Sequence, residues 1–359
     1  MLSLDISAAY PNSSHLRLLY ILQQKGFPRW LINIVQGFLT NCTTSLHFSG
    51  YQSPAIPIPT GLPQGSPLSP ILFLLFAADL LFKFEQGPVR GSGFVDDTNL
   101  LAFSSSAALN CRNLERAHEQ CLEWARRHGV QFSPEKYKLV HFTRRRTGTD
   151  LTAAVRIQGF NGAPCEGLRV LGVWVDNRLT YRPHIRRTVE KANLLFSNLS
   201  RIGQSTWGLS FRQSRLIYTT VVRPTLTYGA PVWSQSGPQG TPTCTLLQPL
   251  QMAQREALRR ATGAYRATAT RIFENEAAIP PIDLYIRSLS LRYRARSDNN
   301  VPLRAFLAQS RRAAWGRRSR PPEDRFKTAW RDLCDAGLTP TNTNGALNSL
   351  ERWDAPPGP

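Results

Sequence analysis

Two adjacent carboxylates inside an apolar segment constrain this chain more than any other feature. In "GSGFVDDTNLLAF", residues 91–103, Asp96 and Asp97 separate short apolar stretches at 94–95 and 100–103, with Gly91 and Gly93 just upstream. The pattern predicts a β-hairpin with acidic residues at its tip. A solvated turn would use the same residue types, because Asp and Asn favour turns. The rest of the chain has to decide between a turn and a site.

Charge placement weighs toward a site. The net charge is +20, yet residues 1–100 hold five basic residues (Arg17, Lys25, Arg29, Lys83, Arg90) and five acidic ones (Asp5, Asp79, Glu85, Asp96, Asp97). The whole excess therefore lies in 101–359. A neutral segment carrying an acidic pair, followed by a strongly basic one, suggests a polyanion held beside a site that uses cations. Length (359 residues) and a hydrophobic content of 42% give room for two folded domains. Six scattered cysteines, with no CxxC and no zinc spacing, read as reduced thiols of an intracellular protein. The most apolar run, "ILFLLFAADLLF" at 71–82, contains Asp79 and is too short to span a bilayer. It is expected as a buried helix, and no membrane partner is expected.

"MLSLDISAAY" reads as a strand, 14–39 as helical around the break "KGFP", and 42–58 as a β-ribbon. "GLPQGSPLSP" at 61–70 reads as a loop opening the apolar helix. Leu114, Ala117, Cys121, Leu122 and Ala125 recur at helical spacing within 107–128. "YKLVHF" at 137–142 and "LRVLGVWVD" at 168–176 are strand-like. From 185 onward Ile185, Val189, Ala192, Phe196, Leu199 and Ile202 mark an amphipathic helix with a basic outer face, and further helices are expected at 210–222 and 248–292. Beyond about 300 the chain is Arg-rich, then polar.

"LDISAAY", "GLPQGSPLSPILF", "GFVDDTNLLAF", "GVQFSPEKYKLVHF" and "LRVLGVWVDNRLTYRPHI" occur in the order of the palm motifs of reverse transcriptases. Across roughly 1–290 the chain resembles the polymerases of non-LTR (LINE-type) retrotransposons, particularly those of fungi. The resemblance implies an α+β fold: a right-hand polymerase palm over 1–180 with an antiparallel sheet, a helical thumb over 181–300, and a basic, partly disordered tail over 301–359. It makes Asp5, Asp96 and Asp97 the catalytic, metal-binding triad for Mg²⁺ or Mn²⁺, with the Ile6 carbonyl as a further ligand. Tyr10 falls where the family places an aromatic gate against a ribose 2′-OH. Gln64 and Gly65 would line the nucleotide pocket, and Ser69 would begin the helix that supports the template. Lys136 matches a lysine near the triphosphate. Gly172 lies in the stretch matching the primer grip, and Arg186, Arg187, Lys191 and Arg201 would meet duplex phosphates. The implied partners are an RNA template, a DNA primer and deoxynucleoside triphosphates. The implied location is the nucleus.

Two departures accompany the resemblance. Pro11 in "AYPN" stands where LINE-type enzymes commonly have Asp. The fingers, which should precede the Asp5 strand, have no room before it, so the chain is expected to be an N-terminally truncated part of a larger polyprotein. Two readings follow: an RNA-directed DNA polymerase, or a catalytically inactive remnant that still binds nucleic acid. Palms also serve RNA-templated RNA polymerases, and Tyr10 weighs against that third reading.

Overall fold

Alternation along the first strand sets the architecture. In a computed structural model, which describes residues 1–143, 151–201, 209–234 and 244–298, Leu2, Leu4 and Ile6 of β1 (Leu2–Ser7) are buried. Ser3, Asp5 and Ser7 therefore fall on the opposite, more open face. The basic run at 144–146, the loop at 236–243, Ile202 and the tail from 301 lie outside the described residues. Two compact units are present, Met1–Leu168 and Arg169–Pro359.

The first unit is built on an antiparallel sheet. β1 lies between β7 (Asp97–Ala102) and β8 (Gln131–Phe132), and also pairs with β9 (Lys138–Leu139). β6 (Val89–Phe94) completes the hairpin with β7. The helical segment 14–39 divides at the expected break into α1 (His15–Gln24) and α2 (Arg29–Leu39). Residues 43–57 form two small ribbons, β2 (Thr43–Thr44) with β5 (Ile56–Pro57) and β3 (His47–Phe48) with β4 (Tyr51–Gln52).

Two helices fill the core. α4 (Ala107–His128) starts where the Ser106 hydroxyl accepts from the Leu109 amide and stops at Gly129, left-handed at φ +69°. It buries Cys111, Leu114, Ala117, Cys121, Trp124 and Ala125 at the spacing read from the sequence, whereas Leu122 is exposed. α3 (Leu68–Phe82) packs Phe73 and Phe76 inward, and Phe76 meets the Trp124 ring edge-on at 6.0 Å. The expected burial of α3 holds for one face only: Ile71 is 55% and Leu74 54% exposed. No helix among the described residues is long and apolar enough to cross a membrane.

The second unit opens with a hairpin, β10 (Gly167–Val170) and β11 (Val173–Asp176), whose first strand straddles the unit boundary. α5 (Arg182–Arg201) follows directly. Asp176, itself buried, accepts from the Thr180 amide (3.0 Å), the Thr180 hydroxyl (2.9 Å) and the Tyr181 amide (2.6 Å), so its carboxylate anchors the turn into α5. The division into units falls at Leu168/Arg169, and the resemblance implied a palm reaching to 180.

The single helix expected at 210–222 is also modified. α6 (Phe211–Ile217) opens with the Ser210–Gln213 capping box, then widens into a π-turn at Tyr218–Val222 and resumes as α7 (Arg223–Leu226). Pro224 lacks an amide hydrogen, and a wider turn ahead of it accommodates the missing bond. α8 (Ala230–Trp233), α9 (Cys244–Thr262), α10 (Thr270–Glu276) and α11 (Ile282–Asp298) close a core containing Phe196, Tyr218, Trp233, Leu250 and Phe273.

Burial holds His118, His128 and His184 below the ordinary histidine value. The unfolded chain takes up these protons near pH 6.5, whereas the folded chain resists until lower pH. Stability is thus flat above that value and falls on acidification through it. The urea midpoints of both units should be lower at pH 5.5 than at pH 7.5; equal midpoints would contradict buried neutral imidazoles.

Candidate active site

Strand register brings the acidic residues together. Asp5 of β1 lies directly across from Asp97 of β7. Asp96 occupies the two-residue turn between β6 and β7 with Val95, which is held left-handed at φ +56°. A β-branched residue in that region is strained, a feature that clusters at functional sites. The Ile6 amide donates to the Asp96 carbonyl at 3.4 Å, extending the β1–β7 pairing around the turn. Burial, then repulsion from Asp96 and Asp5, raises the Asp97 pKa above the usual carboxylate value.

Lys136 completes the cluster. A short 3₁₀ turn at Pro134–Lys136 follows β8, and the Ser133 amide donates to the Asp5 carbonyl at 3.0 Å. The exposed Lys136 ammonium then reaches the Asp5 carboxylate at 2.9 Å, and that hydrogen bond raises the lysine pKa. The donor set, three carboxylates with hard oxygens, is the kind that Mg²⁺ or Mn²⁺ takes. Yet no three acidic, histidine or cysteine side chains among the described residues converge closely enough to hold an ion. The backbone is assembled for such a site, while the Asp5 side chain is engaged by a lysine.

The loop expected at the nucleotide pocket docks on the turn after β1. The Leu62 amide donates to the Tyr10 carbonyl and the Gly61 amide to the Ser13 carbonyl, both at 2.8 Å. A Cβ on Gly61, at φ +95°, would lie 2.6 Å from the Pro11 carbonyl oxygen, so this approach requires glycine. The Tyr10 ring packs on Phe73 with centroids 5.3 Å apart. Gln64 and Gly65 are exposed, and a Cβ on Gly65 would meet open space. Ser69 lies in the first turn of α3, at the helix start where it was expected, and faces inward: it is 1% exposed, and its hydroxyl donates to the Pro63 carbonyl at 2.6 Å. It braces the loop from inside.

In the second unit Gly172 sits at the tip of the β10–β11 hairpin, and Arg186, Arg187 and Lys191 are exposed on α5. The Arg187 guanidinium lies over the Trp174 ring at 3.8 Å, and Arg186 is 3.9 Å from Glu190. Arg201 ends α5, and its side chain lies outside the described ones. Sequence reading missed Trp174, which is half-buried beside buried Val173 and carries the Arg187 guanidinium. It also missed Asp176, which looked like an ordinary strand end.

Residues 1–175 match the family Reverse transcriptase (RNA-dependent DNA polymerase). The match covers 175 of the 359 residues. The RNA-directed DNA polymerase from mobile element jockey of Drosophila melanogaster is 27% identical over 82% of this chain and 31% of its own length. Its counterpart in Drosophila funebris is 28% identical over 94% of the chain and 36% of its own length. A putative 115 kDa protein in the type-1 retrotransposable element R1DM of Drosophila melanogaster is 27% identical over 67% of the chain and 23% of its own length. The chain resembles these sequences of mobile and retrotransposable elements over two thirds or more of its length. It spans about a third of the length of the two jockey polymerases. A telomerase from Candida albicans, solved with a fragment of telomeric RNA, aligns over 78% of this chain and 51% of its own at 11% identity and TM-score 0.39, too distant to bear on function.

Gly61→Ala tests how the 61–69 loop is seated. The added methyl meets backbone, not a side chain that can move aside, and φ +95° is strained for alanine. The first unit should lose on the order of 1–3 kcal/mol in urea unfolding. An unchanged midpoint would show that the loop is free to shift.

Proposed function

We propose that this chain is an RNA-directed DNA polymerase that adds deoxynucleotides to a primer 3′-OH by phosphoryl transfer in retrotransposition. The observation that carries this reading is the Asp5–Asp97 register, which gathers three carboxylates and Lys136 at one end of the sheet. Asp5, Asp96 and Asp97, with the Ile6 carbonyl, would hold Mg²⁺ or Mn²⁺. When bound, a pair of such ions activates the attacking hydroxyl and stabilises the leaving pyrophosphate. Lys136, exchanged from Asp5 to the triphosphate, offsets its charge and stands where a proton can be given to the leaving group. Tyr10 excludes a 2′-OH, and the exposed Gln64–Gly65 backbone borders the nucleotide. Exposed Arg186 and Lys191 meet duplex phosphates. A fungal source and a nuclear location belong to the same proposal and rest on the sequence resemblance.

A second reading, a catalytically inactive nucleic-acid-binding remnant, draws on a specific observation. The Asp5 carboxylate is already paired with Lys136, and no set of three ligands converges among the described residues.

Primer extension on an annealed RNA template, with Mg²⁺ or Mn²⁺ and the four deoxynucleotides, separates the two. The parent chain should extend and Asp96→Ala should lose about 10²–10³-fold or more, the scale of removing one preorganised electrostatic group. Tyr10→Ala should raise ribonucleotide incorporation. No extension by the parent, with duplex binding retained, would establish the remnant. In both cases duplex affinity should drop by about 10³–10⁵ between 50 and 200 mM salt if six to ten phosphates are contacted. Salt-independent binding would exclude a phosphate-tracking surface.

A further inference from the structure

The β10–β11 hairpin reverses on Leu171 and Gly172 alone, both left-handed at φ +45° and +86°. A two-residue turn with both positions left-handed suits Asn-Gly or Gly-Gly and strains leucine. Leu171 is also 49% exposed, so full burial of its side chain does not offset the strain. Something else must hold the tip.

That element is Tyr228, which the reverse transcriptase resemblance gave no role. Its hydroxyl donates to the Leu171 carbonyl at 2.8 Å. Its ring lies so close to Gly172 that a Cβ there would come within 2.8 Å of the ring edge and the hydroxyl oxygen. Tyr228 is fixed in turn through its own carbonyl, which accepts from the Trp233 indole (2.8 Å) and from His184 Nε2 (3.1 Å). The other nitrogen of His184 accepts from the amide of Trp174 on β11 at 3.3 Å. This pattern assigns a neutral imidazole with its proton on Nε2. Gly229, left-handed at φ +68°, leaves room for Val173, whose methyl carbon would be 2.6 Å from a Cβ there. The hairpin is thus bound to the residues ahead of α8 at its tip, by Tyr228, and along its second strand, by His184 and Gly229.

We propose that Tyr228 is a positioning residue that locks the Leu171–Gly172 tip in the geometry with which it meets the primer strand. The proposal rests on the polymerase reading above. Tyr228 acts through Leu171 and not on the reacting atoms. Without the latch the strained turn relaxes, and the tip meets the primer in many orientations instead of one.

Tyr228→Phe in the full chain removes only the hydroxyl. The KM for annealed primer–template should rise about 3- to 10-fold, the effect of one neutral hydrogen bond. The KM for deoxynucleotide should stay at the parental value, and the unfolding midpoint should fall only slightly, by the loss of that single bond. Adding Leu171→Gly, which relieves the turn strain, should bring the primer–template KM back toward the parent, a rescue that a purely structural tyrosine would not show. A parental primer–template KM in Tyr228→Phe, or no rescue by Leu171→Gly, would overturn the proposal. Hydrogen exchange of the 170–173 amides reads the latch without nucleic acid. If the parent extends no primer but Tyr228→Phe speeds that exchange, the polymerase reading fails and the latch stands. If exchange is unchanged, the latch fails whatever the parent does.

Discussion

The pairing of β1 with β7 is the constraint on which the first unit depends, and it sets two forces against each other. Leu2, Leu4 and Ile6 are all but fully buried, each worth about 1.5–3 kcal/mol. A slip of one residue would turn all three outward, so the register is strongly specified. The same register sets Asp5 against Asp97 beside Asp96. Two unit charges 4 Å apart in water repel by only about 1 kcal/mol. Apolar burial on one face therefore outweighs repulsion on the other, which adds to the effect of burial in raising the Asp97 pKa. Lys136 relieves part of that repulsion by engaging Asp5.

A second dependency runs through the turn after β1. Tyr10, Pro11 and Ser13 offer main-chain or ring contacts, and the 61–69 segment fits them with a glycine at the closest approach and an inward-facing serine behind it. The departure at Pro11 is accommodated here. Its carbonyl accepts from the Thr60 hydroxyl at 3.3 Å and is the surface against which Gly61 rests. α1 still starts cleanly, with the Ser14 hydroxyl accepting from the Arg17 amide.

Periodic features were legible in the sequence because burial wrote them there: the β1 alternation, the acidic hairpin, and the α4 stripe from Leu114 to Ala125. Long-range register was not, since nothing near Asp5 in the chain encodes its meeting with Asp97; the family resemblance, not spacing, suggested that pairing. The inward turn of Ser69 was not legible either, because one hydrogen bond to the Pro63 carbonyl is what satisfies a polar residue there in the interior. The helix over 210–222 was broadly visible, but the π-turn ahead of Pro224 was not. Packing joins the β10–β11 hairpin to the helices that follow it through Asp176 and Tyr228. "TYGAPVW" at 227–233 gave no sign that its tyrosine serves a turn more than fifty residues earlier.

β1 takes its hydrogen-bonding partners from β7, β8 and β9, so Leu2 meets Leu100 on one side and Leu139 on the other. Those contacts span most of the first unit, and loop closure must precede them. On a ribosome β1 is made well before the partners that secure it. β1 waits, its apolar side unprotected, until the chain through Leu139 has emerged. The acidic cluster is complete only when that wait ends, so until then the growing chain lacks the concentration of charge that would draw cations to it.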